Sequence, residues 1–163
     1  MPFGGETMKS TATSIMITEF PTLLPETPIT EAIYIFREST RQHGRRLFGI
    51  MVTDKDRHLV GMLSMYDILL YMRPKHIQVW GTMEDLDVAG LIEAAGRRIK
   101  SILVGDIMTP DVITIGPNVD LLVILDIMIK KHVRRLPVIK DQRIIGIVYI
   151  SDLFNHLLER IGD

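Results

Sequence analysis

The sequence predicts an α+β fold in which two β-α-β-β-α repeats pack about a pseudo-two-fold axis, with a connecting helix between them. Three observations carry that expectation. The 163-residue chain repeats itself in register. Within each copy the apolar pattern switches between strand-like and helix-like periods. At 47% hydrophobic, the chain can bury a sizeable core, but a copy of roughly fifty residues is too small to bury its faces alone.

The repeat has two matched blocks. "SIMITEFPTLLPETP" at 14–28 lies over "DIMTPDVITIGPNVD" at 106–120, displaced by 92 residues. Ile15 and Met16 then fall on Ile107 and Met108, Thr22 on Thr114, and Pro25 on Pro117. "HLVGMLSMYDIL" at 58–69 lies over "RIIGIVYISDLF" at 143–154, displaced by 85. The first copy is therefore seven residues longer, mostly in "RESTRQHGRRL" at 37–47.

Each copy opens on a short extended segment, 20–23 or 111–115, before a proline. A helix follows near 29–40, with Thr27 or Thr30 as candidate cap, and near 119–132 in the second copy. The second of these, VDLLVILDIMIKKH, is apolar almost all round, which predicts burial on more than one side. Two β-rich runs come next: 48–53 and 58–63 around DKDR, then 135–140 and 143–150 around DQ. A closing helix starts at Ser64 or Ser151. The intervening stretch predicts a connecting helix near 84–101, with acids early and Arg97, Arg98 and Lys100 late, as the helix dipole favours. The domains are thus 1–13 (a disordered lead-in), 14–72 (first repeat), 73–102 (linker with helix) and 103–163 (second repeat).

Composition narrows the function. A net charge of −1 gives no general basic field for nucleic acid or anionic membrane. There is no cysteine, hence no disulfide, thiolate nucleophile or cysteine metal site, which fits a reducing cytoplasm. The first residues lack a signal-peptide core. The longest apolar stretch, 121–129, carries Asp126 and is far short of a membrane span. The histidines (43, 58, 76, 132, 156) show no HxxxH or HExxH spacing, so no metal is expected. There is no GxxxxGK[ST], GxGxxG or GxSxG, and no nucleophile with a base, so the chain reads as a non-enzyme.

"GMLSMYD" at 61–67 supports two readings. Ser64 and Asp67 form a capping box by spacing. They can also be half of a ligand site beside a helix N-terminus, and the two roles can coexist because Asp67 has two oxygens. The echo "GIVYISD" at 146–152 keeps Gly and Asp but places Tyr149 where the serine was, which tilts Asp67 toward ligand contact and leaves Ser151 as a replacement cap. Lys130, Lys131, Arg134 and Arg135 read either as cations at a helix C-terminus or as phosphate contacts. The ten methionines read as core fillers.

"DIMTPDVITIGPN", "KKHVRRLPVI" and "IIGIVYISDLF", with "SIMITEFPTLLPETPITEA" and "HLVGMLSMYDILL" in the first copy, resemble a tandem pair of cystathionine-β-synthase (CBS) domains, a Bateman module. The resemblance covers about 14–72 and 103–160. It implies a regulatory sensor that binds AMP, ADP, ATP, NADH or S-adenosylmethionine in clefts between the two repeats, requires no other cofactor, and pairs into a homodimer. A regulated protein partner is implied; membrane and nucleic acid are not. The family pattern Gly-h-h-Thr/Ser-x-x-Asp would place Asp67 and Asp152 on ribose hydroxyls, with Ser64 near phosphate. It would place Thr22 and Thr114 near the base, and a basic residue such as His132, Arg134 or Arg135, ahead of the Pro137 strand, near phosphate. Tyr149 departs from the pattern and could reach phosphate, stack on a base or plug its cleft. The first copy departs at "GRRLFGIMV", where Arg45 and Arg46 are substitutes for the missing basic pair. The rival reading is a ligand-free dimerisation or scaffold module.

Overall fold

The computed structural model describes residues 10–43, 47–74 and 87–162. Along the chain the elements are α1 (Ala12–Ile15), β1 (Thr22–Leu23), α2 (Ile29–His43), β2 (Gly49–Thr53), β3 (Leu59–Ser64) and α3 (Met65–Met72). They continue with α4 (Val88–Ile99), α5 (Val104–Ile107), α6 (Leu121–Lys131), β4 (Arg135–Lys140), β5 (Arg143–Tyr149) and α7 (Ile150–Ile161). The fold is α+β. The compact units cut across the two sequence repeats. One unit is Pro21–Val112; the other joins the described residues up to Phe20 to those from Ile113 onward.

In the Pro21–Val112 unit, β1 runs parallel to β2, and β2 antiparallel to β3. Every residue of β2 is buried. The helix α2 turns Ile29, Ala32 and Phe36, spaced three and four apart, onto the core that also holds Leu23, Ile50, Val52, Leu63, Ile68, Ile99 and Val104. Burial of each of these side chains larger than alanine stabilises by about 1.5–3 kcal/mol before chain entropy is counted. Thr27 does not cap α2; its hydroxyl accepts the Leu24 N–H at 3.2 Å and closes the preceding turn. The helix α3 ends at Arg73, which is extended as a residue before proline (here Pro74) must be. The connecting helix α4 is capped by Asp87, whose carboxylate accepts the Gly90 N–H at 3.0 Å, and Arg97 and Arg98 stand in its last turn. Residues 84–86 of the expected helix lie outside the described residues.

The other unit repeats the plan. Ile115 pairs in parallel with Val138 of β4, and β4 runs antiparallel to β5. Leu121, Ile124 and Met128 of α6 meet Leu136, Val138, Val148 and Leu153 in the core. The expectation that α6 is buried on more than one side is corrected: Leu122, Val123 and Ile129 are 69%, 49% and 62% exposed. The helix rests on its unit through one face only. Ser151 does not cap α7 either; Tyr149 holds the N-cap position and gives no side-chain capping bond. Ser151 is already one residue inside the helix, past the point where its hydroxyl would serve a cap.

The units cross the repeats because each repeat's opening segment completes the other's sheet. Thr109 and Met62 exchange N–H···O bonds at 2.9 Å each way along the outer edge of β3. Ile17 and Ile147 do the same on β5, at 2.8 and 3.0 Å. Three further bonds recur in both units. Ile29 N–H donates to Ile102 O, Val104 N–H to Thr27 O and Gly105 N–H to Pro25 O, and these are matched by Leu121 to Ser10, Ala12 to Val119 and Thr13 to Pro117. The helix α1 begins at Ala12, inside the stretch read as lead-in; residues 1–9 lie outside the described residues.

Candidate functional site

The two candidate carboxylates occupy the same helical position. Asp67 is the third residue of α3 and Asp152 the third of α7, each following the outer strand of its sheet. The capping box predicted at the first is present. Ser64 Oγ accepts the Asp67 N–H at 3.1 Å, and Asp67 Oδ2 accepts the Ser64 N–H and the Ser64 hydroxyl at 2.8 Å each. The Ser64 hydroxyl thereby donates its single hydrogen to Asp67. The remaining oxygen, Oδ1, accepts the Thr109 hydroxyl at 3.2 Å.

Thr109 was not singled out in the sequence. Its signal was weak because the displacement of 92 residues pairs it with apolar Ile17. In the sheet it closes a row: Thr22 stands opposite Met51, Met51 opposite Met62, and Met62 opposite Thr109. Directly opposite residues share a face, so exposed Thr22 and exposed Thr109 flank two buried methionines. Thr22, Ser64 and Asp67 therefore belong to one unit, with Thr22 opposite the middle of β2 and Ser64 at the end of β3 that Asp67 follows.

In the other unit, half-buried Arg135 pairs directly with Tyr149, and the Arg134 carbonyl accepts the Ile150 N–H at 2.8 Å. Buried Pro137 stands opposite Ile147, and its carbonyl accepts the Ile115 N–H next to exposed Thr114. Thr114, Arg134, Arg135, Pro137, Tyr149, Ser151 and Asp152 thus share the second unit. The register shows what replaces the basic pair in the first. Gly49 pairs with Ser64 as Arg135 pairs with Tyr149, so Gly49 and the 51% exposed Phe48 stand where Arg135 and Arg134 stand. Arg45 and Arg46 lie outside the described residues.

The glycine of each motif has a packing reason. A Cβ on Gly61 would meet Met108 Sδ at 2.7 Å and the Thr109 carbonyl at 2.9 Å; one on Gly146 would meet Met16 Sδ at 2.7 Å. The echoing Gly and Met of the two repeats are thus partners across the exchange. Elsewhere, Asp54, Asp56 and His58 in the β2–β3 turn bring potential ligand atoms within 4.8 Å of one another, a mixed set that a search for paired histidines overlooks. Asp54 already accepts the Asp56 and His58 N–H groups at 2.8 and 2.9 Å and lies 2.9 Å from the His58 ring. That is a turn closing on itself, and it accounts for the cluster without an ion.

A duplicated sheet-and-helix unit with a carboxylate at the head of each closing helix defines a tandem repeat pair. The chain belongs to the CBS domain family, whose profile matches residues 12–74 and 104–159. It is 39% identical over 75 residues to the mitochondrial CBS domain-containing protein CBSX3 of Arabidopsis thaliana, covering 45% of this chain and 36% of that one. It is 27% identical over 154 residues to chloroplastic CBSX1 of the same plant, covering 85% and 60%. The chain thus spans less than two thirds of the length of these relatives. Among solved structures, the CBS-pair protein CBSX2 from Arabidopsis thaliana superposes with a TM-score of 0.72 at 22% identity, over 94% of this chain and 97% of that one. CBSX2 in complex with AMP superposes at 0.68 and 21%, over 93% and 98%. Among the described residues, no helix is long and apolar enough to cross a membrane.

Proposed function

We propose that the chain is a regulatory sensor that binds an adenosine nucleotide or adenosyl ligand, with Asp67 and Asp152 each accepting hydrogen bonds from ribose hydroxyls. The observation that carries this reading is the identical placement of the two carboxylates on a mirrored backbone frame although their capping partners differ. The AMP complex of CBSX2 supports the ligand class. Arg134 and Arg135 suit a phosphate in the second unit, where a guanidinium can bind it with two parallel N–H bonds. AMP, ADP, ATP, NADH and S-adenosylmethionine are the candidates, and the readout passes to a regulated protein partner.

Calorimetry with these five ligands tests the reading. At least one binds tighter than about millimolar, and Asp67→Ala and Asp152→Ala each weaken it, by on the order of 1.5–3 kcal/mol for a lost charge-assisted hydrogen bond. No heat with any of them overturns it.

The rival reading, a ligand-free homodimeric scaffold, is favoured by the exposed apolar residues of α6 together with Phe154, Leu158 and Ile161 of α7. It gives a dimer in sedimentation whose melting point no nucleotide moves. A ligand present at about 100 times its Kd would instead add about 2.7 kcal/mol.

A further inference from the structure

We propose that Thr109 sets how many ribose hydroxyls Asp67 accepts. The inference rests on the reading of Asp67 as a ribose acceptor and deepens it. A carboxylate offers about four lone-pair sites, two on each oxygen. Both sites on Oδ2 are occupied, by the N–H and the hydroxyl of Ser64. One site on Oδ1 is occupied by the Thr109 hydroxyl. With Thr109 in place, Asp67 has room for one ligand hydroxyl. A vicinal diol that is to place both hydroxyls on Asp67 must first displace the threonine.

Displacement is a side-chain event. The Thr109 backbone stays pinned to Met62 by its two 2.9 Å bonds, and the side chain is exposed, so water receives the released hydroxyl. The matching residue in the other unit is Ile17, which has no hydroxyl to offer Asp152. Thr109 thus makes the first site accept a single hydroxyl and blunts its discrimination between ribose and deoxyribose.

The test measures AMP, 2′-deoxy-AMP and 3′-deoxy-AMP by calorimetry on the full chain carrying Asp152→Ala, so that heat reports the Asp67 site. In that parent the deoxy compounds bind within about threefold of AMP. Adding Thr109→Val tightens AMP about tenfold, the worth of one net hydrogen bond, and leaves both deoxy compounds within about twofold. Thr109→Ser, which keeps the hydroxyl, behaves as the parent, and Asp67→Asn erases the ribose preference that Thr109→Val creates. Thr109→Ala replaces the valine variant if a melting curve shows that the latter is unfolded.

An AMP-to-deoxy-AMP ratio that neither Thr109→Val nor Thr109→Ala changes, while Asp67→Asn still weakens AMP, overturns the role of Thr109 and leaves the Asp67 reading standing. A serine variant that shifts as far as the valine variant overturns the role of the hydroxyl. AMP that binds the Asp67→Asn protein as tightly as the parent, or a parent that gives no heat with AMP or with any of the other four ligands, overturns both.

Discussion

In the Pro21–Val112 unit the closing helix starts on a serine locked to Asp67, with Thr109 on the remaining carboxylate oxygen. In the other unit the same helix starts on Tyr149, which makes no side-chain capping bond, and Ile17 takes the place of Thr109. The arginines are distributed the other way, with Arg134 and Arg135 on the second sheet and Phe48 and Gly49 at their register positions on the first. Yet the five main-chain bonds by which the opening segments join the first unit each have a counterpart in the second. The frame is held by main-chain pairing and by a methionine seated on a glycine. The polar groups at the head of the closing helix are therefore able to diverge without disturbing it, and the two units can differ in what they bind while remaining the same shape locally.

The largest expected effects test the frame. Gly61→Ala drives its Cβ against both a sulfur and the rigid Thr109 carbonyl, whereas the three atoms nearest a Cβ on Gly146 all belong to the Met16 side chain, whose sulfur can swing away. Overpacking of this kind costs about 1–3 kcal/mol. Gly61→Ala should fall at the upper end and Gly146→Ala at the lower, read as separate shifts of the urea midpoint. Equal losses would break the idea that the two sockets differ in stiffness.

Next come the caps. Ser64→Ala removes a cap hydroxyl and should cost about 1–2 kcal/mol, while Ser151→Ala, inside the first turn of α7, should cost less than about 0.5 kcal/mol. Thermal melts of the two variants sharpen the contrast, and a serine at 151 that matters as much as the one at 64 would overturn it.

The turns give smaller effects than the glycine sockets and the Ser64 cap. Asp141 and Gln142 of the second hairpin both have positive φ, 51° and 67°, and Arg57 of the first turn has φ 68°. Gln142→Gly and Arg57→Gly should each stabilise by about 0.5–1 kcal/mol, since glycine enters that region without a Cβ penalty. The Asp54 carboxyl is held below its ordinary value of 3.8, chiefly by the His58 N–H. A lowered folded-state value gives stability that is present above the unfolded pKa and lost as pH falls through the folded one. Asp54→Asn should therefore lower the melting point at neutral pH, and the gap to the parent should close as the pH is taken below 3.8.

The order of elements was legible because each strand, helix and turn follows from local pattern: β2 from its apolar run, α3 from Ser64 and Asp67, the hairpins from DKDR and DQ. The exchange of opening segments was not. Which edge Ile17 or Thr109 pairs with is a long-range choice, and a match between repeats says only that the two segments do the same thing, not with whom. The one-turn helices α1 and α5 were missed for a related reason. Four residues carry no helical period, and they are held by Ser14 and Asp106, which accept the N–H groups of Thr11 and Leu103, and by main-chain bonds to distant partners. Apolarity misled at α6, because a hydrophobic surface in a sequence does not say which part of the folded chain, if any, covers it. At the candidate site, the Ser64–Asp67 capping box was readable from its motif, while Thr109 became visible only once the exchanged segment lay beside β3.

The exchange also gives the two units different histories on the ribosome. The partners that Pro21–Val112 needs all lie within one continuous stretch, so that unit can close soon after Val112 emerges. Ile17 pairs with Ile147, which follows it by 130 residues. At roughly 5–20 residues per second that is a wait of about 6–26 s, during which the opening segment has no native edge to join. The unit whose chain begins first is the one that is finished last.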